Sequence, residues 1–165
     1  MFRKLLGVVG LVVAVSSSMA GPAQAQVPPQ AYGRVFNGLS PRRLDSGIPT
    51  DAQMWKCTTS VYQQWYLSSS GQIIGNSPTG CLDGGSGANG ALVPMVPCTG
   101  SASQRWFWDW NYGRGSYRIY HVTSGRCLDA DLATIGRNGT TVQLRDCTTA
   151  ANQQWTFESL LYYPN

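Results

Sequence analysis

The stretch RIYHVTSGRCLD, residues 118–129, occurs in three versions along the chain. The other two are RVFNGLSPRRLD at residues 34–45 and QIIGNSPTGCLD at residues 72–83, and all three align without a gap. Each version has two bulky apolar residues near its start, then a segment rich in turn-forming residues, then Leu-Asp. Short apolar segments joined in this way predict a β-hairpin. The sequence therefore contains three copies of one hairpin.

A Gln-x-Trp triplet follows each copy, and its tryptophan lies eight residues after a cysteine. The triplets are Gln63-Gln64-Trp65 after Cys57, Gln104-Arg105-Trp106 after Cys98, and Gln153-Gln154-Trp155 after Cys147. Asn89-Gly90 and Asn138-Gly139 each precede a cysteine by nine residues and predict further tight turns. The tryptophans are spaced 41 and 49 residues apart, which defines a threefold repeat.

The composition fits many short strands joined by turns. Charged residues make up 12% of the 165 residues, hydrophobic residues 42%, and there are 19 Gly and 9 Pro. Low charge with ample apolar residues excludes a disordered chain, and the high Gly and Pro content argues against a helical bundle. The formal net charge is only +4 and the basic residues are not clustered, so we expect no nucleic-acid partner.

The first 25 residues have the pattern of a secretory signal peptide. Arg3-Lys4 precedes the apolar run Leu5–Val15, and Ala23-Gln24-Ala25 supplies small residues for cleavage. The run is shorter than the ~20 residues that span a bilayer, so we expect no membrane span, with a short anchor as the alternative. We predict a secreted protein with a short N-terminal segment at residues 26–33 and one domain at residues 34–165.

A repeat of about 40 residues is too small to bury a core of its own, so three repeats are expected to share one. Each needs about four strands, which predicts about twelve short strands, and closure would remove exposed sheet edges. The fold class is therefore all-β with pseudo-threefold symmetry. Large buried aromatics dominate small cores, so we interpret the triplets as core and expect their tryptophans to meet at the pseudo-threefold axis. Their glutamines are expected to satisfy buried backbone groups. These core residues are Gln63, Trp65, Gln104, Trp106, Gln153 and Trp155.

The signal segment, the three triplets and the Cys-Leu-Asp segments together resemble the ricin-type β-trefoil lectins, the ricin B-like family of Gln-x-Trp carbohydrate-binding modules. The resemblance covers residues 34–157 and implies a β-trefoil with three sugar-binding lobes, α, β and γ. It also implies the disulfides Cys81–Cys98 and Cys127–Cys147. Arg43 occupies the corresponding position in the first repeat, which leaves Cys57 over. We interpret Cys57 as a buried, inert thiol; an intermolecular disulfide that forms a dimer is the alternative.

The resemblance also implies the sugar-binding residues of each lobe. An aspartate accepts hydrogen bonds from vicinal hydroxyls, amides flank it, and an aromatic ring covers the apolar face of the sugar. The γ lobe has Asp129, Gln143 and Asn152, with Arg145 at the aromatic position. The α lobe has Asp45, Gln53 and Trp55, with Tyr62 in place of Asn. The β lobe has Asp83 with Pro94, Val96 and Ser103.

We rank γ first and α second and expect β to be inactive. The alternative for each aspartate is a turn residue bonded to its own backbone. We expect Asp129 to be an exposed carboxylate whose removal leaves the fold intact. A further aromatic stretch, Trp106–Tyr112, alternates aromatic residues as one face of a strand would. Trp108 or Trp110 is expected either to contact glycan or to pack beneath a long hairpin.

Catalysis is not expected. A glycoside hydrolase needs two carboxylates about 5–10 Å apart, whereas threefold geometry would hold Asp45, Asp83 and Asp129 far from one another. The single histidine, His121, is a weak candidate base, and no Cys-x-x-Cys supports a zinc site, so no metal or cofactor is expected. The sequence predicts a secreted module that binds an oligosaccharide or polysaccharide made of neutral sugars. The alternative is a degenerate trefoil that serves as a protein-interaction or toxin-targeting subunit.

Overall fold

The structure, a computed structural model, describes residues 30–47, 51–76 and 79–160. The predicted signal peptide lies outside the described residues. Twelve short strands form, as the repeat predicts. They are β1 Ala31–Asn37, β2 Ser40–Asp45, β3 Gln53–Lys56, β4 Trp65–Leu67, β5 Ile73–Asn76, β6 Thr79–Leu82, β7 Met95–Val96, β8 Trp106–Asn111, β9 Ser116–His121, β10 Cys127–Ala130, β11 Thr140–Arg145 and β12 Trp155–Ser159. A 3₁₀ turn precedes β4, β8 and β12 and contains the glutamine of each triplet.

The strands form a barrel that is covered by three hairpins. Strand β1 pairs with β12 and β4, β4 pairs with β5, β8 pairs with β9, and β9 pairs with β12. The backbone N–H of Trp106, the first residue of β8, donates to the carbonyl of Gly71, which lies just before β5. The pairs β2–β3, β6–β7 and β10–β11 form the hairpins. This closed arrangement of three equivalent units is the predicted β-trefoil.

Each twelve-residue segment contains parts of two consecutive strands and the connection between them, and it leads from the barrel to a hairpin. The pairs β1–β2, β5–β6 and β9–β10 are all antiparallel, which confirms the hairpin prediction. The first strand begins earlier than the predicted domain boundary at Arg34, because Ala31 to Gly33 pair with Leu67 to Trp65 of β4. At the turn Asn138-Gly139, Gly139 has a φ of +80°, a conformation that favours glycine.

The three triplet tryptophans belong to one apolar core. Trp65 and Trp155 are fully buried, Trp106 is 3% exposed, and all three lie in the same cluster of buried residues. Each indole N–H donates to the carbonyl of the leucine that precedes the lobe aspartate. The pairs are Trp65 with Leu44 at 3.0 Å, Trp106 with Leu82 at 3.1 Å, and Trp155 with Leu128 at 2.9 Å. The triplet thus ties the barrel to the hairpin of the same repeat.

Among the described residues, two disulfides form in the pairing that the resemblance implies, Cys81–Cys98 and Cys127–Cys147. Each joins the first strand of a hairpin to the segment that follows the second strand. The interpretation of Cys57 as a buried thiol is wrong. Cys57 is exposed, and its Sγ lies 3.2 Å from the carbonyl oxygen of Pro41. It directly follows the end of β3, at the edge of its hairpin. Exposure by itself does not support the alternative, a dimer formed by an intermolecular disulfide.

The packing of the aromatic strand β8 decides between the two alternatives that the sequence left open. Trp108 is only 9% exposed, and its ring makes edge contacts with Tyr117 and Phe157. Trp110 is half-buried and contacts Tyr117. Packing beneath the hairpin is therefore the outcome for this face. The opposite face of β8 instead presents Phe107, which is 45% exposed.

Replacement of Trp155 by alanine should reduce the free energy of unfolding by about 3–5 kcal/mol, because it opens a cavity in the shared core. Urea denaturation followed by circular dichroism measures the loss. Thr156→Ala, at the exposed neighbouring position, is the matched control and should change stability little. A Trp155→Ala variant with the stability of the parent would contradict the core assignment.

Candidate functional site

The γ lobe places its three predicted residues side by side. Strands β10 and β11 pair Asp129 directly with Gln143, and the 3₁₀ turn before β12 brings Asn152 to the same carboxylate. Asp129 Oδ1 accepts a hydrogen bond from Gln143 Nε2 at 3.2 Å. Asp129 Oδ2 accepts from Asn152 Nδ2 and from Gln153 Nε2, both at 2.8 Å. One carboxylate thus anchors three amide side chains.

Asp129 is not the exposed carboxylate that the sequence suggested. It is 4% exposed, and Gln143 and Asn152 are 6% and 3% exposed. The reason is the triplet, since Gln153 bonds both to Asp129 and to the backbone around Cys147, and so draws the aspartate into the structure. The turn interpretation does not describe Asp129, whose carboxylate accepts hydrogen bonds from the side chains of Gln143, Asn152 and Gln153.

The edge of this network opens into a surface pocket of about 400 Å³. Sequence reasoning missed several of its lining residues because they come from loops outside the repeat motif. These are Asn89, Asp131, Leu132, Asp146 and Thr148. Arg145 lines the pocket at the position where the family has an aromatic residue, and none of the described lining residues is aromatic. Leu132, 58% exposed, offers an apolar surface instead.

The α lobe has a similar carboxylate with aromatic neighbours. Strands β2 and β3 pair Asp45 with Gln53, and Asp45 Oδ2 accepts from Gln63 Nε2 at 3.1 Å. Asp45 Oδ1 accepts from the backbone N–H of Gly47 at 3.0 Å, so the predicted turn bond exists here as well. Asp45 is 8% exposed and lies in a pocket of about 290 Å³. Trp55 and Tyr62 also line this pocket, so a carboxylate, an amide and two rings converge.

The β-lobe aspartate, Asp83, accepts hydrogen bonds from its own turn and from a serine. Asp83 Oδ1 accepts from the backbone N–H of Gly85 at 2.7 Å, and Oδ2 accepts from Ser103 Oγ at 3.1 Å. Pro94 and Val96 provide no amide side chain beside it. The ring of His121 lies against Gly84 so closely that a Cβ there would stand 2.6 Å from the imidazole. The arrangement is that of a structural turn.

His121 is fully buried, and both of its ring nitrogens have hydrogen-bond partners. Its Nε2 lies 3.1 Å from the carbonyl oxygen of Ser103, which can only accept, so Nε2 carries the proton. Nδ1 then accepts from Ser124 Oγ at 2.8 Å. Burial lowers the pKa of His121, although the Ser103 carbonyl and Asp83 act in the opposite direction. His121 therefore has a structural role in closing the β lobe.

Among the described residues, no group of three or more His, Cys, Asp or Glu side chains is arranged to hold a metal ion. Within the same part of the chain, the structure also contains no helix with the length and apolar character of a membrane-spanning segment.

The chain belongs to the family of the ricin-type beta-trefoil lectin domain, whose sequence profile matches residues 31–155. The search of curated proteins found no match. Among solved structures, the designed threefold-symmetric protein ThreeFoil is similar with 21% identity and a TM-score of 0.68, over 78% of this chain and 99% of that chain. The ricin B-like lectin of Macrolepiota procera, solved with lactose, has 20% identity and a TM-score of 0.70, over 81% and 99%.

The exo-beta-1,3-galactanase of Clostridium thermocellum is also similar, with 23% identity and a TM-score of 0.70. The alignment covers 81% of this chain but only 31% of the galactanase. At these identities the structural comparisons establish the β-trefoil fold.

Replacement of Asp129 by alanine should destabilise the protein by about 2–4 kcal/mol, because three amides lose their shared acceptor and a buried unpaired donor costs about 1–3 kcal/mol. Urea unfolding measures the loss. Asp83→Ala is the matched control. Asp83 is half-buried and accepts from two donors, the Gly85 N–H and Ser103 Oγ, so this variant should lose less free energy of unfolding than Asp129→Ala. Equal losses in the two variants would contradict the anchoring role of Asp129.

Acid should weaken the fold through His121. Its folded-state pKa lies below the unfolded value of about 6.5, so the folded state binds fewer protons than the unfolded state as pH falls. The contribution of neutral His121 is present above about pH 6.5 and is lost as pH falls towards the lowered pKa. Urea unfolding at several pH values between 5 and 8 should show this slope.

The control for that slope is His121→Gln, which keeps a polar side chain and removes the only histidine of the chain. This variant is expected to be less stable at neutral pH. Its free energy of unfolding should depend much less on pH within about one unit of the reference histidine pKa of about 6.5. If the slope persists unchanged, another group causes it.

Proposed function

We propose that this protein is a secreted, non-catalytic carbohydrate-binding module that binds neutral glycans through the α-lobe and γ-lobe pockets. Two observations support the general function: the chain belongs to a lectin family, and the motif aspartates Asp45 and Asp129 each lie in a surface pocket. The single observation that carries the proposal is the α pocket, where the Asp45 carboxylate, the Gln53 amide and the Trp55 ring converge.

The α pocket matches the two surfaces of a sugar ring. Hydroxyls on adjacent carbons can donate to the Asp45 carboxylate while the Gln53 amide both donates and accepts. Trp55 is half-buried, which holds its ring in place while leaving part of it open to a ligand. Tyr62 replaces the asparagine of the family motif and adds a second ring with a hydroxyl group. These features favour the α lobe more than its sequence rank suggested.

The γ pocket offers a more polar form of recognition. Asp129 is held rigidly by its three amides, which fixes the acceptor before a ligand arrives. A sugar would pack its apolar face on Leu132 or on the flat guanidinium of Arg145, since both line the pocket. Three carboxylates, those of Asp129, Asp131 and Asp146, outnumber Arg145 among the lining charges. This balance disfavours anionic sugars and favours neutral ones.

Galactose-containing glycans are the first class to test, because the structurally similar Macrolepiota procera lectin was solved with lactose. Secretion is proposed from the pattern of residues 1–25 and agrees with the two disulfides, which persist in oxidising compartments. The absence of catalysis is proposed because the motif aspartates Asp45 and Asp129 lie in two separate pockets and cannot act on the same glycosidic bond.

Lactose should bind weakly, with a Kd of ~0.1–1 mM per site, because each pocket is shallow. Trp55→Ala should weaken the α site about three- to tenfold through loss of the ring, and Asp45→Asn should weaken it further. Isothermal titration with lactose, preceded by a glycan array, measures both effects. Chelation of calcium should leave affinity unchanged.

Leu39→Ala is the control, since Leu39 is 49% exposed in the β1–β2 turn and lines neither pocket. Full affinity in a folded Asp45→Asn/Asp129→Asn variant would overturn the assignment of both sites. A folded protein that binds no glycan on the array would instead favour the protein-interaction or toxin-targeting alternative.

A further inference from the structure

The outer face of the β8–β9 hairpin contains a groove that belongs to neither lobe pocket. Its working residues are Phe107, Asp109, Tyr120 and Val122, and we call it the hairpin groove. The groove shares no residue with the α or γ pockets. Phe107, Asp109 and Tyr120 lie on the barrel strands β8 and β9, and Val122 lies in the turn after β9.

The apolar part of the hairpin groove is an exposed aromatic platform. Phe107 is 45% exposed and Val122 is 56% exposed, both high values for large apolar side chains. Phe107 lies directly opposite Tyr120 in the β8–β9 register, so the two side chains are neighbours on the outer face of these strands. Phe107, Tyr120 and Val122 line the same groove and together offer an apolar surface to a flat ligand.

The repeat makes two other positions equivalent to Phe107, namely Tyr66 in β4 and Thr156 in β12. Phe107 lies opposite Tyr120, Tyr66 lies opposite Ile74 and Tyr32, and Thr156 lies opposite Phe36. A cross-strand pair of aromatic residues is therefore not unique to β8–β9. The β8–β9 pair differs in its surroundings, since Phe107 is 45% exposed and the Asp109–Arg118 ion pair lies on the same two strands.

The polar part of the hairpin groove is an ion pair one step along the same face. Asp109 lies opposite Arg118, and Asp109 Oδ2 accepts from Arg118 Nη2 at 3.1 Å. The Tyr120 hydroxyl lies 3.5 Å from the same oxygen, and the Arg118 guanidinium stands 5.4 Å from the centre of the Tyr120 ring. Asp109 Oδ1 accepts no hydrogen bond from any residue that the structure describes. An acceptor is therefore free beside the platform.

The charges and shapes of the groove select a class of ligand. The Asp109–Arg118 pair is neutral as a whole, so it does not favour a strongly charged ligand. A purely apolar peptide side chain would desolvate the ion pair without offering it a hydrogen bond. A neutral sugar ring satisfies both parts, because its C–H face packs on Phe107 while a hydroxyl donates to Asp109 Oδ1.

We propose that the hairpin groove is an additional binding site for a neutral pyranose unit of a glycan, distinct from the three repeat-related lobes. The proposal rests on the carbohydrate binding proposed above but requires neither lobe pocket. A polymer that contacts the groove and one lobe together would gain avidity without any new contact. The groove would then supplement the α and γ pockets, whereas in the β lobe Pro94 and Val96 provide no amide side chain beside Asp83.

The test is a neutral-glycan array followed by titration of the best-bound glycan. Phe107→Ala in the Asp45→Asn/Asp129→Asn background should abolish the residual binding of that double variant. Phe107→Ala alone should weaken binding of a polymeric glycan about three- to tenfold, the range expected for loss of one stacking ring. Asp109→Asn should also weaken binding while it preserves the shape of the side chain.

Tyr112→Ala is the matched control, since Tyr112 is a 64% exposed aromatic on the same hairpin outside the groove. Circular dichroism establishes that each variant is folded. Residual binding that survives Phe107→Ala, or a double variant that binds no glycan, would overturn the hairpin groove and leave the lobe sites standing. A parent protein that binds no glycan on the array would overturn the proposed function and this site together.

Discussion

The structure depends on the contact between each Gln-x-Trp triplet and the Leu-Asp segment of its own repeat. The indole N–H of the buried tryptophan donates to the leucine carbonyl, at 3.0 Å for Trp65 and 2.9 Å for Trp155. In the α and γ lobes the triplet glutamine also donates to the adjacent aspartate. The same short motif therefore fills the core and holds the aspartate in a fixed position at the inner edge of its pocket. Changes to the triplet should consequently affect the stability of the fold and the geometry of the proposed sites together.

The three lobes show how one scaffold diverges while its core stays the same. Trp106 keeps its bond to Leu82, yet Gln104 bonds to the backbone near Cys98 and leaves Asp83 to Ser103 and Gly85. His121 then closes on Gly84. In the β lobe Asp83, Ser103 and His121 therefore stabilise a local turn. In the γ lobe the carboxylate instead organises amides around an open pocket.

Loss of symmetry also marks where new function can arise. The barrel requires only that alternate residues of β4, β8 and β12 point inward, so the outward positions are free to vary. At one of them Phe107 lies opposite Tyr120, next to the Asp109–Arg118 ion pair. The equivalent residues are Tyr66, opposite Ile74 and Tyr32, and Thr156, opposite Phe36. The outer surface can therefore differ between repeats while the buried tryptophans of the core stay the same.

The sequence by itself determined the repeat, the twelve strands, the core tryptophans and the family, because the spacing of apolar, turn and motif residues repeats three times. The family resemblance also predicted that Asp129, Gln143 and Asn152 lie together, because equivalent motif positions have the same spatial neighbours in proteins of the same fold. Only the tertiary structure decided burial. It placed Cys57 at the surface, drew Asp129 inward and turned Phe107 rather than Trp108 outward. These outcomes depend on which side chains from distant loops and strands cover each position, and local sequence does not encode that coverage.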